Sequence, residues 1–317
     1  MSEMMNTSIT LGQIHTIYKK IGGSDGWEAA QRDDVTIKLL DAKQELFDRT
    51  GRRVPLLDSK IEIFRADDCD KFVQPDIDYA YRLNRLARFF PTGTQFISVE
   101  EFEIQSNSLL NRLKQDIRLS NLLNGTYLPI CLPKIEKSGN YGEVLSVFIE
   151  ALKKSYLEQF PKRKFYNLVK KDELLTMCSI VENNHRGLIN KIARVPIVGI
   201  LFFPFQGFPV SAQIEQMVAL PNFLYFCDPE CLLPPKSFAL SGAIDIATAI
   251  IAYPDILVNG EKGTLDLSCS ATSLGWDATF EFSSSRSELG ILRNTNICLN
   301  ISSSVNTGGL LFFQSEH

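Results

Sequence analysis

Residues 195–220, VPIVGILFFPFQGFPVSAQIEQMVAL, constrain this chain more than any other stretch. An apolar run rich in β-branched and aromatic residues is interrupted by Phe205-Gln206-Gly207-Phe208-Pro209. Apolar residues then recur with helical spacing at Ile214, Met217 and Val218. That order reads as a buried strand, a tight loop and a helix beginning near Ser211, since glycine permits a sharp turn and proline ends a strand. Strand–loop–helix junctions are also where α/β proteins place ligands. Gln206, Gly207, Ser211 and Gln213 are therefore the candidate ligand-binding residues, with Glu215 a candidate acid–base group beside them. The competing reading makes this a core element, with Ser211 only capping the helix.

Residues 241–253 are apolar nearly all round, which predicts a helix buried on several sides. Asp245 sits in its first turns. A buried carboxylate carries a raised pKa suited to acid–base work, so Asp245 is the second catalytic candidate. The structural alternative is an interaction with the helix N-terminus after a Ser241 cap. From residue 264 the period becomes two, as in Leu265/Leu267/Cys269, Ala278/Phe280/Phe282, Leu289/Ile291, Ile297/Leu299/Ile301 and Leu310/Phe312. Polar residues alternate with these, predicting an antiparallel meander with one wet face.

Upstream, the spacing predicts helices over 9–21, over 34–46 with Gly51 as the stop, and over 76–90. A short strand is expected at 60–64. Ser98 with Glu101 matches a capping box for the next helix. In the middle segment 127–132 reads as a strand, placed at an edge by Pro129, and 141–160 as the clearest helix. Further helices are expected over 172–181 and 185–193. The fold class is α+β: a mainly helical region (1–124) packed on an α/β part (125–317) that contains the 195–220 junction and ends in the meander (264–317).

At 317 residues the chain exceeds a typical domain of about 100–200 residues. Its 44% hydrophobic and 22% charged content is that of an ordinary globular protein. Seven scattered cysteines in largely apolar surroundings read as reduced thiols, and a cytoplasmic location is expected. The N-terminus lacks the pattern of a signal peptide, and no membrane association is expected.

Charge is distributed unevenly. Residues 125–195 hold twelve basic and seven acidic side chains, whereas 196–317 hold four and eleven. Only the basic and aromatic stretch 153–171 offers a nucleic-acid surface. A solvated helix face plus a loop, with Tyr156 and Phe160 in the core, is the favoured reading, so nucleic acid is not the expected partner.

Metal chemistry is poorly supplied. Cys227 and Cys231 lack a second ligand pair, and Glu182-x-x-His185 occurs once where a carboxylate-bridged site needs two copies. Asp67, Asp68, Asp70, Asp76 and Asp78 fit no calcium loop. The nucleophile, phosphate-loop and dinucleotide motifs are absent, and no metal or cofactor is expected. These features together favour a non-catalytic protein that takes a protein or small-molecule partner. The alternative is an enzyme of unrecognised type with its site around Gln206-Gly207.

Overall fold

The computed structural model describes residues 46–55, 72–135, 140–167, 177–209, 211–216, 237–258, 266–274, 279–284, 288–294 and 306–314, with Tyr18, Ser24, Glu28, Arg32, Arg65 and Leu220 as isolated positions. The helix expected over 9–21, apart from Tyr18, and the strand at 60–64 lie outside these residues. So do most of 34–46, Cys227, Cys231, Asp67, Asp68, Asp70 and the 297–301 alternation.

The fold is α+β. Among the described residues its α-helices include α1 (Tyr79–Phe89), α2 (Val99–Gln115), α3 (Tyr141–Gln159), α4 (Asn183–Ile192), α5 (Ala243–Ala252) and the single turn α6 (Pro254–Leu257). Four of them start where a side chain accepts from the exposed N–H groups of the first turn. Asp78 accepts from Tyr81, Ser98 from Glu101, Asn140 from Glu143, and Glu182 from both Asn184 and His185.

The first sheet is antiparallel, in the order β1 (Tyr127–Leu132), β4 (Ile197–Phe202), β10 (Leu310–Phe313), β5 (Phe238–Leu240). Pro129 does lie on an edge strand, and its carbonyl accepts from the Tyr253 hydroxyl at 2.8 Å. Consecutive residues of all four strands are buried, so both faces of this sheet are covered. That explains why YLPICL, IVGILF and LLFF are continuous apolar runs without alternation. Phe238 and Phe312 are cross-strand partners whose rings stack at 4.7 Å.

The second sheet runs β2 (Lys164–Asn167), β8 (Glu288–Asn294), β7 (Thr279–Ser284), β6 (Asp266–Leu274), β3 (Cys178–Ile180), with β9 (Asn306–Gly308) also paired to β6. β6, β7 and β8 form the expected antiparallel meander. β10 leaves it to join the first sheet. The wet face is not found along β6, where Ser268, Ser270 and Thr272 are as buried as Leu267, Cys269 and Ala271. Small hydroxyl side chains tolerate this because each can find a hydrogen-bond partner inside. Two local expectations are corrected. Residues 178–180 form a strand rather than the end of a helix, and the basic stretch around Lys164 pairs as β2, parallel to β8.

α5 is the centre of the molecule. All ten of its residues are buried, and it packs on α3, β1, α1 and β6. Burial of each Ile side chain contributes about 1.5–3 kcal/mol. Its exposed C-terminal carbonyls are met by two buried arginines of α1. Arg82 Nη1 donates to Ala252 O at 2.8 Å, and Arg85 Nε donates to Ile251 O at 2.8 Å. Cations at a helix C-terminus satisfy both the orphan carbonyls and the helix dipole. α1 is thereby locked to α5 through its charges as well as its apolar stripe.

Candidate functional site

The sequence Leu46-Phe47-Asp48-Arg49-Thr50-Gly51-Arg52-Arg53-Val54 folds as a small hairpin, closed by the Phe47–Arg53 bridge and by Val54 N–H to Leu46 O at 3.0 Å. Asp48 organises the turn. Its Oδ1 accepts from Thr50 N, Thr50 Oγ1 and Arg52 N at 2.8, 2.7 and 3.1 Å. Gly51 has φ +80° and lies so close to Gly125 that a Cβ would stand 2.6 Å from Gly125 N. Only glycine meets both demands. Gly51 is therefore a hairpin-turn residue rather than a helix stop; both roles call for a positive φ, which is why the sequence alone confuses them.

Arg53 anchors the hairpin. It is buried, donates from Nη1 to Leu46 O at 2.7 Å and from its backbone to Pro204 O at 2.9 Å. The second contact sets the hairpin against the 203–209 loop. There Gly207 turns with φ +76°, and Phe205 and Phe208 meet edge to face at 5.9 Å. Residues 211–216 are helical, as the 195–220 pattern predicts.

Between hairpin and loop lies a cavity of about 320 Å³ whose wall includes Arg49, Arg52, Phe72, Gln74, Phe203 and Gln206. Its size is in the range of small-molecule sites. Phe72 and Phe203 form one wall, with centroids 4.9 Å apart. Gln74 is held rigidly by donating to Tyr127 O at 3.1 Å and accepting from Tyr127 N at 2.9 Å. Arg52 lies over the Phe208 ring at 5.2 Å, and Arg49 is exposed. Gln206 Nε2 is buried and has no hydrogen-bond partner among the described residues.

The other sequence candidates are placed differently. Gln213 is fully buried and braces the loop, donating to Phe208 O at 2.9 Å and accepting from Ser270 Oγ. Ser211 is half-buried at the start of the helical turn, and Glu215 is exposed. Neither lines the cavity.

Asp245 sits elsewhere, at the N-terminus of α5, fully buried. Both its oxygens accept from Gly242 N, at 3.0 and 3.1 Å. The N-cap is Gly242, one residue beyond Ser241, and Ser241 instead ties the sheets together through Gly309 O and Ala271 N, both at 3.0 Å. His185 Nδ1 lies 3.7 Å from Asp245 Oδ1. Burial pushes the Asp245 carboxyl up to about 8, partly opposed by backbone N–H groups and Ser241. Burial also pushes the His185 imidazole down to about 4. Tyr141, raised well above its ordinary value by burial, shares Thr272 Oγ1 at 3.0 Å. Such shifts are common at catalytic sites, yet both His185 and Asp245 have no exposed surface. Glu182 is occupied as the cap of α4, with the two N–H bonds at 2.8 and 2.7 Å. Among the described residues, no three His, Cys, Asp or Glu side chains converge as a metal site.

In the basic stretch, Tyr156 is buried and packs on Phe160 and Phe165 at 5.3 and 6.3 Å, so its ring is unavailable for stacking on a base. No helix among the described residues is long and apolar enough to cross a membrane.

Nothing in the sequence singled out Arg49, Arg52, Phe72 and Gln74, which line the cavity. The one local signal was Asp48-x-Thr50-Gly51, whose side-chain and glycine chemistry specifies a tight turn. No protein-family model, curated protein or solved structure matches this chain.

Proposed function

We propose that this chain is a non-catalytic protein that binds a small ligand in the cavity between the 46–54 hairpin and the 203–206 loop. The observation that carries the reading is the Gln206 amide. Its Nε2 is buried at the cavity wall with no acceptor among the described residues, and a buried donor left unsatisfied costs about 1–3 kcal/mol. A ligand acceptor at that point recovers this energy. Rigid walls support the same reading, since preformed sites lose little entropy on binding. The acid–base chemistry needed for an enzyme is remote from this support: Asp245 is sealed beside His185, and Glu215 points to solvent.

The test is a thermal-shift and equilibrium-dialysis screen of the full chain against a panel of neutral and charged metabolites. Gln206→Ala should weaken any hit at least tenfold while moving Tm by no more than about 2 °C, because it removes one cavity-lining amide that no described residue accepts from. Glu215→Ala should leave binding unchanged. Absence of any hit, or a hit indifferent to Gln206→Ala, would overturn the reading.

A further inference from the structure

We infer that the wall of this cavity is positioned from behind by the second sheet, with Gln213 as the positioning residue. The consequence for ligand affinity rests on the binding reading above. Gln213 does not line the cavity; it is fully buried in the helical turn that follows the 203–209 loop. Its Nε2 donates to Phe208 O at 2.9 Å, and its Oε1 accepts from Ser270 Oγ on β6. The amide can face only one way. Phe208 O accepts and cannot donate, so the NH2 must point to it, whereas a hydroxyl serves either role. Phe208 in its turn closes the bend that carries Gln206, donating from its N to Phe205 O at 3.0 Å. One side chain thus reaches from β6 to the bend that holds Gln206.

The crossing of the chain between the two sheets keeps this amide in place. β9 pairs with β6, and two residues beyond it the chain enters β10, where Leu310 is the partner of Phe202. Phe202 and Phe203 both line the cavity. Gly308 lies flat against the Gln213 amide, so close that a Cβ there would overlap Oε1 and Cδ. Its φ is outside the left-handed range, so space alone demands glycine. Gly309 O accepts from Ser241 N at 3.0 Å, which fixes the crossing to the residue after β5. Residues 306–310 therefore touch two supports of the cavity wall, the brace behind Gln206 and the strand that leads into Phe203. A buried amide paired at both ends resists displacement, because rotating it strands a donor or an acceptor.

Amide exchange of the full chain, read as protection factors, tests this without a ligand. Gln213→Met keeps the stem and removes both hydrogen bonds. Protection of the Phe208 amide should fall about tenfold or more, while that of Leu86 in α1 stays within about twofold. Gln213→Glu adds a pH profile that packing alone does not produce: the protonated acid donates to Phe208 O, and the carboxylate cannot. Burial raises the pKa of such a group, so Phe208 protection relative to the parent chain should be near normal at about pH 5 and about tenfold lower at about pH 9. Gly308→Ala should lower Phe208 protection about fivefold, and in the Gln213→Met background it should add less than about twofold. Unchanged Phe208 protection in Gln213→Met, an equal loss at Leu86, or independent effects of the Gly308 and Gln213 changes would overturn the inference. Exchange that behaves as expected in a chain that binds no metabolite would sink the binding reading alone.

Discussion

Nδ1 of His185 lies 3.7 Å from Oδ1 of Asp245, with both side chains sealed beneath the N-terminus of α5. The distance is too long for a hydrogen bond. Burial favours the neutral form of each, a protonated acid beside an uncharged imidazole. Around them lie Gly242 and Ser241 at the helix start, Thr272 and Cys269 on β6, Tyr141 on α3 and Glu182 at the cap of α4. The pair belongs to the joint between the two sheets.

Stability should therefore depend on pH in a defined way. Asp245 holds its proton up to about pH 8 when folded, against an ordinary 3.8, so its contribution is complete below about pH 4 and is lost as pH rises towards 8. His185, lowered to about 4 from 6.5, acts oppositely: the unfolded chain gains a proton that the folded one refuses, and stability is lost as pH falls from about 6.5 towards 4. Between about pH 6.5 and 8 only the Asp245 effect operates. Unfolding free energy should fall there by up to about 1.4 kcal/mol per pH unit, the one-proton limit. Urea titrations at several pH values check this, and Asp245→Asn should flatten the slope. No fall in stability over that range would mean that Asp245 is ionised in the fold.

Gly242 should reject any side chain. Its φ of −108° is unstrained, but a Cβ would stand 2.4 Å from His185 Nε2 and 2.9 Å from Thr272 Oγ1. Gly242→Ala should cost about 1–3 kcal/mol by overpacking. His185→Ala makes room at the price of a cavity, about 2–3 kcal/mol. The double variant should lose less than the sum, with a coupling of about 1 kcal/mol or more. Additive losses would show that the contact with His185 is not what excludes a side chain.

Arg85 should matter more than its place on a helix suggests. It donates to Ile251 O, and through Nη2 to Ser155 O and Oγ at 3.2 and 3.0 Å. Arg85→Met keeps the apolar stem and strands these acceptors, at a cost of about 3 kcal/mol in denaturant unfolding. A change under about 1 kcal/mol would show that α5 ends without this clamp.

The parts legible in the sequence were those with strong local periodicity. α3, the strand before it at β1, the strand–loop–helix at 197–216 and the all-buried α5 follow from spacing, capping and apolar runs. β3 was misread because the apolar residues around Cys178 are too few for helical and extended periods to differ. The departure of β10 from the meander is a non-local pairing with β4 and β5, which no window of sequence contains. Gln206 drew notice in the sequence through its glycine turn, and it lines the cavity. Its cavity partners were not, because Arg49 and Phe72 reach it only through the Arg53–Pro204 contact and the Gln74–Tyr127 pair, both made across long sequence separations. His185 and Asp245 were each noticed singly, and only the fold brings them together.

Gly51→Ala probes whether the hairpin builds the cavity. Positive φ and the closeness of Gly125 N should together cost about 1–3 kcal/mol. Amide exchange over 46–54 should quicken, and ligand affinity should drop with it. Unchanged exchange would mean that the turn accommodates a side chain.

The most direct measurement is crystallographic fragment soaking of the full chain with a library balanced between neutral and anionic rings. Density for ring fragments against Phe72 and Phe203, with an acceptor at Gln206 Nε2, is the expected result. Fragments gathering instead in the groove of about 750 Å³ between Gln95, Ile97, Lys191 and Val195, with none beside Gln206, would contradict it.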